Sequence, residues 1–219
     1  MFQAIGVHGP ELSAFAQTIL SVILVLMAFL FLSFSSRNYR PTLVGLGVLV
    51  LAVAVVRILL QSLPNIQPVT VACLLVGSHL GAKRGIAFAV LVTILSNAVI
   101  GDGWWTLFQA IGWAGVAMLG STLNFEKNGS LHVLKLSIVA GASAFLFGAI
   151  TTLSLFEPGM TFVHIYTFVL QGLPFDALHA LGNIAFAIWL APTLHRFLQD
   201  VVLMQEGGQT AGDVVVVHG

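Results

Sequence analysis

Residues 63–120 are LPNIQPVTVACLLVGSHLGAKRGIAFAVLVTILSNAVIGDGWWTLFQAIGWAGVAMLG. Three apolar runs follow one another in and just beyond this stretch, at 68–82, 85–100 and 105–123. Only Lys83 and Arg84 separate the first two, and a glycine-containing turn separates the last two. None of the runs alternates apolar and polar residues, which excludes the strands of a membrane barrel. The segment therefore predicts three closely connected membrane helices.

The composition of the whole chain supports this prediction. Of 219 residues, 58% are apolar and 7% are charged, against roughly 25% charged residues in a water-soluble domain. Eight basic and eight acidic residues cancel, so no basic field exists to attract nucleic acid. The single cysteine, Cys73, excludes a disulfide framework and a cysteine-based zinc cluster. We therefore predict an all-α, polytopic transmembrane helical bundle in the cell membrane.

Orientation follows from the predicted spans. A helix that crosses a bilayer needs about 20 mostly apolar residues, and seven candidates lie at 12–34, 42–63, 68–82, 85–100, 105–123, 133–155 and 174–197. With seven crossings, the basic loop residues share one side, which is cytoplasmic by the positive-inside rule. These residues are Arg37, Arg40, Lys83, Arg84, Lys127, Lys135 and Arg196. The N-terminus is then outside and the C-terminus cytoplasmic.

Three segments flank or interrupt the predicted core. The run at 12–34 is too long for a signal-peptide core and has no basic residues before it, so we expect a retained helix. The stretch 156–172 is predicted as a long outer loop that lies on the membrane surface or closes over a cavity, since its apolar part, 160–170, is too short to cross. Residues 199–219 are polar and contain glycine, which predicts a flexible cytoplasmic tail.

Arg57 is the only basic residue that lies away from the ends of a predicted span. Because an ionisable group in a bilayer is costly, it indicates a functional site. Its candidate acidic partners are Asp102, in the turn after the fourth span, and Asp176, at the start of the seventh. A purely structural ion pair is the alternative to a role in binding.

Two predicted helix faces carry the other polar groups of the outer half. One has Asp, His and Asn at i, i+3 and i+7, and the other has Trp, Gln and Trp at i, i+4 and i+8, which places each trio on one face. Their clustering predicts an outward-opening cavity for a small molecule. Interfacial anchoring and interhelical hydrogen bonding are the alternatives. The predicted substrate-binding residues are Arg57, Asn65, Asn97, Asp102, Trp104, Trp105, Gln109, Trp113, Asp176, His179 and Asn183.

Small residues recur at every fourth position in several spans. Such stripes let helices approach closely in membranes, either inside the bundle or at a docking face for another membrane protein. The candidate docking residues are Gly77, Gly81, Gly85, Ala89, Ala140 and Ala144.

An ordered set of motifs runs through residues 57–120. It comprises a Pro-Asn-x-x-Pro turn, glycine-spaced short helices, Ser-Asn near a helix end, and Gly-x-Gly-Trp-Trp-Thr-x-x-Gln with a later tryptophan. These motifs, and the final LPFDALHALGNIAFAIWLAP at 173–192, resemble the substrate-specific (S) components of energy-coupling factor (ECF) transporters, a type of ABC transporter. The resemblance covers roughly residues 42–198 and is weakest between 124 and 173.

The resemblance implies a six-helix core at 42–198 that binds a vitamin or other micronutrient at its outer face. Such a subunit associates with a transmembrane coupling protein and two cytoplasmic ATPase subunits. Residues 1–41 would add an extra helix and a cytoplasmic loop to that core. The likeness is closest to S components for corrinoids such as cobalamin. We expect no enzyme activity, no cofactor and no metal ligands in this chain, which also lacks the G-x-x-x-x-G-K-[ST] loop that binds ATP phosphates.

Two other functions compete with this one. Ser143 and His179 superficially resemble the dyad of a rhomboid-type intramembrane protease. Against it, Ala144 follows the serine where that family has glycine, the Trp-Arg loop motif is absent, and His179 is expected nearer the outer mouth than Ser143. A self-sufficient secondary transporter is the second alternative, but it would usually show repeated halves, which the sequence lacks.

Overall fold

The computed structural model describes residues 12–34, 40–127, 129–156 and 159–216. Within these residues eight α-helices form, so the predicted all-α class is confirmed. The helices are α1 (Ala14–Ser33), α2 (Arg40–Leu59), α3 (Val69–Leu80), α4 (Ala82–Ile100), α5 (Trp105–Ser121), α6 (Val133–Thr152), α7 (Phe162–Trp189) and α8 (Ala191–Val216). A 3₁₀ turn, Leu153–Leu155, extends α6. An antiparallel hairpin of two short strands, β1 (Glu126–Lys127) and β2 (Ser130–Leu131), precedes α6.

Helices α1 to α7 run alternately up and down, which gives the bundle two ends. The upper end contains Asp102, whose Oδ2 accepts a hydrogen bond from Ser21 Oγ of α1 at 2.8 Å. The lower end contains Lys83, whose Nζ donates to the carbonyl of Phe34 at the end of α1, at 2.7 Å. The predicted basic side corresponds to this lower end, although Arg37 lies outside the described residues. The orientation of the two ends across the membrane stays a prediction.

Glycines with positive φ set the boundaries of α4. Gly81 has φ of 84° and Gly101 has φ of 135°, a region that residues with a side chain rarely adopt. Gly81 ends α3 and immediately precedes α4, so the chain reverses with a break of one residue. The run at 68–100 therefore forms two separate helices, as predicted.

Helix α3 is the centre of the bundle, and every residue from Val69 to Gly77 is buried. It has 12 residues and is about 18 Å long at 1.5 Å per residue, which is short of a hydrocarbon core of about 30 Å. By length and composition, four helices among the described residues can cross a membrane, or five if a bent pair counts as one span. These limits support a multi-pass membrane protein but not all seven predicted crossings.

The outer surface of the bundle is apolar. Large side chains such as Phe15, Phe29, Leu51, Ile138 and Leu181 are exposed, whereas a soluble protein rarely exposes contiguous apolar surface on this scale. Helix α1 is mostly exposed and packs against α4 through Leu24 and Ala28. Helix α1 is thus an outer helix of the bundle.

Helix α7 corrects two boundaries predicted from the sequence. It begins at Phe162, so most of the predicted 156–172 loop is helical. Thr161 and His164 form a capping box at its start, and Pro174 lies inside it. A proline inside a helix is tolerated in membranes because neighbouring groups satisfy the freed carbonyl. The predicted seventh span, 174–197, is divided by a bend of 60° between α7 and α8.

Helix α8 extends to Val216, where the sequence predicts a flexible tail from residue 199. Its first turns bury Leu194, Leu198 and Val201, which lie on one face at i, i+4 and i+7. This face packs on α2 and α3. This apolar stripe continues past residue 197, the predicted end of the span, and its burial stabilises α8. Residues 217–219 of the predicted tail lie outside the described residues.

The small-residue stripes pack the chain's own helices. A Cβ built at Gly77 would lie 2.0 Å from the Ala117 carbonyl oxygen, and one at Gly85 would lie 3.1 Å from Gly77 Cα. Among the predicted docking residues, five are buried inside the chain, and only the turn residue is exposed. The buried ones are Gly77, Gly85, Ala89, Ala140 and Ala144, and the exposed one is Gly81. The structure thus gives the five an internal role in place of the predicted partner face.

Candidate functional site

Arg57, near the upper end of α2, is 3% exposed and donates to four side chains. Its Nε donates to Gln67 Oε1 at 2.9 Å, and its Nη2 to Gln109 Oε1 at 3.3 Å. Its Nη1 donates to Asn97 Oδ1 at 2.7 Å and also to Ser96 Oγ. All four acceptors are neutral, so none of them cancels the positive charge of the Arg57 guanidinium.

The predicted acidic partners do not contact Arg57, which forms no ion pair with any described residue. Asp102 instead ties α1 to the turn between α4 and α5. Its carboxylate accepts from Ser21 and Thr106, and its carbonyl accepts from Gln17. Asp102 is therefore not the partner of Arg57, because the turn directs its carboxylate towards α1.

Trp113 forms the layer next to Arg57. The guanidinium carbon lies 5.0 Å from the centre of the Trp113 ring, a distance at which a cation is attracted to an aromatic face. The other side of the indole stacks on Phe147 at 4.5 Å, and its Nε1 donates to Thr70 Oγ1 at 3.3 Å. Trp113 is 1% exposed and does not line the cavity described below, so it packs behind the site.

A cavity of about 240 Å³ lies among the upper parts of α5, α6 and α7. Five predicted substrate-binding residues line it: Asn65, Trp105, Gln109, Asp176 and His179. The remaining lining residues are Phe147, Gly148, Thr151, Thr152, Ser154 and Leu155. Gln109 accepts from Arg57, so the cavity and the buried cation are one hydrogen bond apart.

Asp176 and His179 occupy the α7 side of the cavity. His179 Nε2 lies 3.1 Å from Thr70 Oγ1, and Phe147 meets the imidazole edge-on at 5.3 Å. Asp176 sits against Gly148, where a Cβ would lie 2.0 Å from its Oδ1. The half-buried Asp176 carboxylate has no hydrogen bond or ion pair with any residue that the structure describes. It can accept hydrogen bonds from a ligand.

Three predicted residues neither line the cavity nor contact Arg57. Asp102 anchors α1, as described above. Trp104 packs edge-on against Phe108 at 5.2 Å. Asn183 is buried two turns below Asp176, and its Nδ2 donates to the Ala140 carbonyl of α6 at 3.0 Å. Asn183 therefore has the interhelical role that was the alternative to binding.

Some contributors were not selected from the sequence. Gln67 and Ser96 bind Arg57, Thr70 joins Trp113 to His179, and Phe147 forms one wall of the cavity. Ser96 precedes Asn97, a predicted binding residue, and Gln67 lies within the Pro-Asn-x-x-Pro turn. Both are therefore next to positions that the sequence analysis had singled out. Phe147 gave none, because its apolar helix resembles the others.

The protease alternative gains no support from the arrangement of Ser143. Its Oγ donates to the Val139 carbonyl of its own helix at 2.8 Å, while His179 is paired with Thr70. The expectation that His179 lies nearer the outer mouth than Ser143 was wrong, however. Gly148 lies opposite Asp176 and Ala140 opposite Asn183, so Ser143 and His179 lie at similar depths.

We expect the cavity to admit water-soluble reagents from the upper end. Thr152→Cys should react with a membrane-impermeant maleimide, because Thr152 lines the cavity and its hydroxyl donates only to Gly148 of its own helix. Cys73, the only native cysteine, is fully buried and should stay unmodified. Mass spectrometry of the labelled protein measures both.

Ala144→Cys, at a fully buried position of the same helix, is the matched control and should react far more slowly. Labelling of Thr152→Cys in right-side-out vesicles but not in inverted ones is expected if the upper end faces outward. The reverse pattern would contradict the predicted orientation, and equal labelling of the two variants would contradict the cavity.

Compared with protein-family models, curated proteins and solved structures, the chain matches none. The resemblance to ECF S components thus rests on the motifs quoted above.

Proposed function

We propose that this chain is the membrane-embedded substrate-binding subunit of an ECF-type micronutrient uptake transporter. Its ligand would occupy the upper cavity, and a separate coupling protein with two ATPases would drive release on the other side. One observation carries the proposal: a carboxylate without a partner among the described residues, a histidine, two amides and a tryptophan converge on one cavity. Polar groups that converge on one cavity fix the orientation of a ligand in small-molecule sites.

The size of the cavity favours a compact ligand. A volume of about 240 Å³ equals roughly eight water molecules at about 30 Å³ each, and it is below the roughly 300–1,000 Å³ of drug-sized pockets. A corrinoid is far larger and would require the cavity to open widely. We therefore favour a vitamin built on one or two rings, with donors for Asp176 and a flat face for Trp105.

Native mass spectrometry of the protein, purified gently from its own host membrane, tests the proposal directly. The expected result is a bound small molecule, with a coupling membrane protein and ATPases in the same preparation. A protein that transports the same molecule alone in liposomes would instead be a secondary transporter. Absence of both a bound mass and partners would argue against the proposal.

We expect binding of that small molecule to depend on Asp176. Asp176→Asn should weaken it roughly 10-fold or more, because a charged acceptor contributes about 1.5–3 kcal/mol to a hydrogen bond. Gly148→Ala should also weaken it, since the new Cβ displaces the Asp176 carboxylate. Isothermal titration of the identified molecule against purified protein measures both.

Gly172→Ala is the matched control, because a Cβ there meets nothing within 4 Å. It should bind as the unmodified protein does. If Gly148→Ala also binds normally while Asp176→Asn does not, the carboxylate is needed but its position against α6 is not. Normal binding by Asp176→Asn would move the site away from this cavity.

A further inference from the structure

A second cluster of chemically active side chains lies at the lower end, remote from the upper cavity. It joins His79 in the last turn of α3, Glu126 in β1 and His195 in the second turn of α8. His79 Nε2 lies 3.0 Å from His195 Nδ1 and 3.6 Å from Glu126 Oε1. His195 Nδ1 lies 3.8 Å from the same carboxylate oxygen. Three ligand atoms from three separate elements thus face one point.

A backbone contact fixes the tautomer of His79. Its Nδ1 lies 2.9 Å from the Leu75 carbonyl oxygen, which can only accept, so Nδ1 carries the hydrogen. In the neutral ring the lone pair is then on Nε2, the atom that faces the cluster. Histidines that bind metals are commonly oriented in this way, with the second nitrogen donating to a carbonyl.

The triangle of ligand atoms has the dimensions of a tetrahedral metal site. Zinc–nitrogen and zinc–oxygen bonds of about 2.0–2.1 Å at tetrahedral angles place neighbouring ligand atoms roughly 3.4 Å apart. The three observed sides are 3.0, 3.6 and 3.8 Å, so each differs from that value by a few tenths of an ångström. Small rotations of the side chains would complete the geometry.

The surroundings orient His79 and Glu126 and leave one direction open. The imidazole side chains of His79 and His195 are 7% and 5% exposed, while that of Glu126 is 39% exposed. Gln199 Nε2 donates to Glu126 Oε1 at 3.2 Å, and Asn124 Oδ1 accepts from the Glu126 backbone N–H at 2.7 Å. The carboxylate faces a cavity of about 760 Å³, from which water can reach a fourth coordination position.

We propose that His79, Glu126 and His195 bind a divalent transition-metal ion, with Zn²⁺ as the first candidate. Two imidazoles and one carboxylate form a ligand set that zinc proteins use when one coordination position stays open. The ion ties α8 to α3 and the hairpin. The sequence analysis found no metal ligands because 47 and 69 residues separate the three, so no local spacing reveals them. This site does not depend on the proposed transport function.

Zinc binding to the full-length protein tests the site. The protein is purified in detergent without an affinity tag, treated with a chelator, and titrated with Zn²⁺ against a chromophoric zinc indicator. We expect one ion per chain and a higher thermal unfolding temperature, since an ion that binds only the folded state stabilises it. Co²⁺ in place of Zn²⁺ should give the intense visible absorption of a four-coordinate site.

Glu126→Gln is the most informative variant, because Glu126 is the most exposed of the three and its replacement keeps the shape of the side chain. We expect it to weaken zinc binding roughly 100-fold or more. Loss of a residue that only hydrogen-bonds to a metal ligand already lowers metal affinity about 10- to 100-fold. His195→Asn should weaken binding at least as much. Each variant's unfolding temperature without metal checks that it folds.

Asp200→Asn is the matched control, because it removes a carboxylate from the same cavity outside the triangle. It should bind zinc within about twofold of the unmodified protein. The site is overturned if the unmodified protein shows no saturable binding. Equal affinities for the unmodified protein and Glu126→Gln would overturn it as well.

Discussion

Gly77→Ala is expected to destabilise the folded bundle by about 2–3 kcal/mol, the upper part of the range for overpacked cores. The new Cβ would lie 2.0 Å from the Ala117 carbonyl oxygen and 3.0 Å from the Ser121 nitrogen. Both are backbone atoms, so no side chain can rotate away, and α3 must move from α5. Urea or SDS titration in detergent, followed by circular dichroism, measures the loss.

Gly115→Ala in α5 provides the control, because a Cβ there meets nothing within 4 Å. It should stabilise by up to about 1 kcal/mol through helix propensity. Gly120→Ala approaches the same interface from the other helix, at 2.3 Å from the Leu74 carbonyl oxygen. The double variant with Gly77→Ala should cost less than the sum, since one separation relieves both clashes. Equal stability of Gly77→Ala and Gly115→Ala would contradict the close α3–α5 packing.

Arg57→Ala is expected to cost about 3 kcal/mol. Interhelical hydrogen bonds in membrane proteins contribute about 0.6 kcal/mol each on average, and Arg57 makes four. Truncation of a buried side chain adds the loss of its packing, including the contact with Trp113. Arg57→Lys should recover only part of the loss, because one ammonium cannot reach both Gln67 and Gln109.

Arg57→Met separates charge from volume, because it fills most of the space without donors. We expect it to remain less stable than the unmodified protein by about 2 kcal/mol, since the buried Asn97 Oδ1 loses its donor. Lys127→Ala, at an exposed hairpin position, is the control and should change stability by less than about 0.5 kcal/mol. Unfolding in detergent measures all four variants. Full stability of Arg57→Met would show that the network contributes nothing.

Apolar runs and glycines predicted most helix positions well. Helix α4 ends at Ile100 as predicted, because Gly101 with positive φ stops it. Helix α7 was misplaced because Pro174 was treated as a helix start, whereas the true start depends on the capping pair at Thr161. The continuation of α8 depends on burial of Leu198 and Val201 against other helices. Such tertiary contacts leave only a weak pattern in the chain.

The candidate site was predicted in part for a related reason. Helical spacing brought Asp176 and His179 together on one face, and both line the cavity. It could not show that Asn183, on the same stripe, bonds to α6, because that depends on where the helices touch. Charge alone suggested an acidic partner for Arg57. The observed amide and hydroxyl partners are common residues that composition does not distinguish.

The bend after Trp189 places His195 close to the point about which α8 could rotate. Its 26 residues make a rod about 39 Å long, and His195 lies about 7 Å from the pivot. The ratio of these lengths is about five, so a rigid rotation that moves His195 by about 1 Å displaces the far end by about 5 Å. Any rigid rotation of α8 about this bend would therefore be magnified at its distant end.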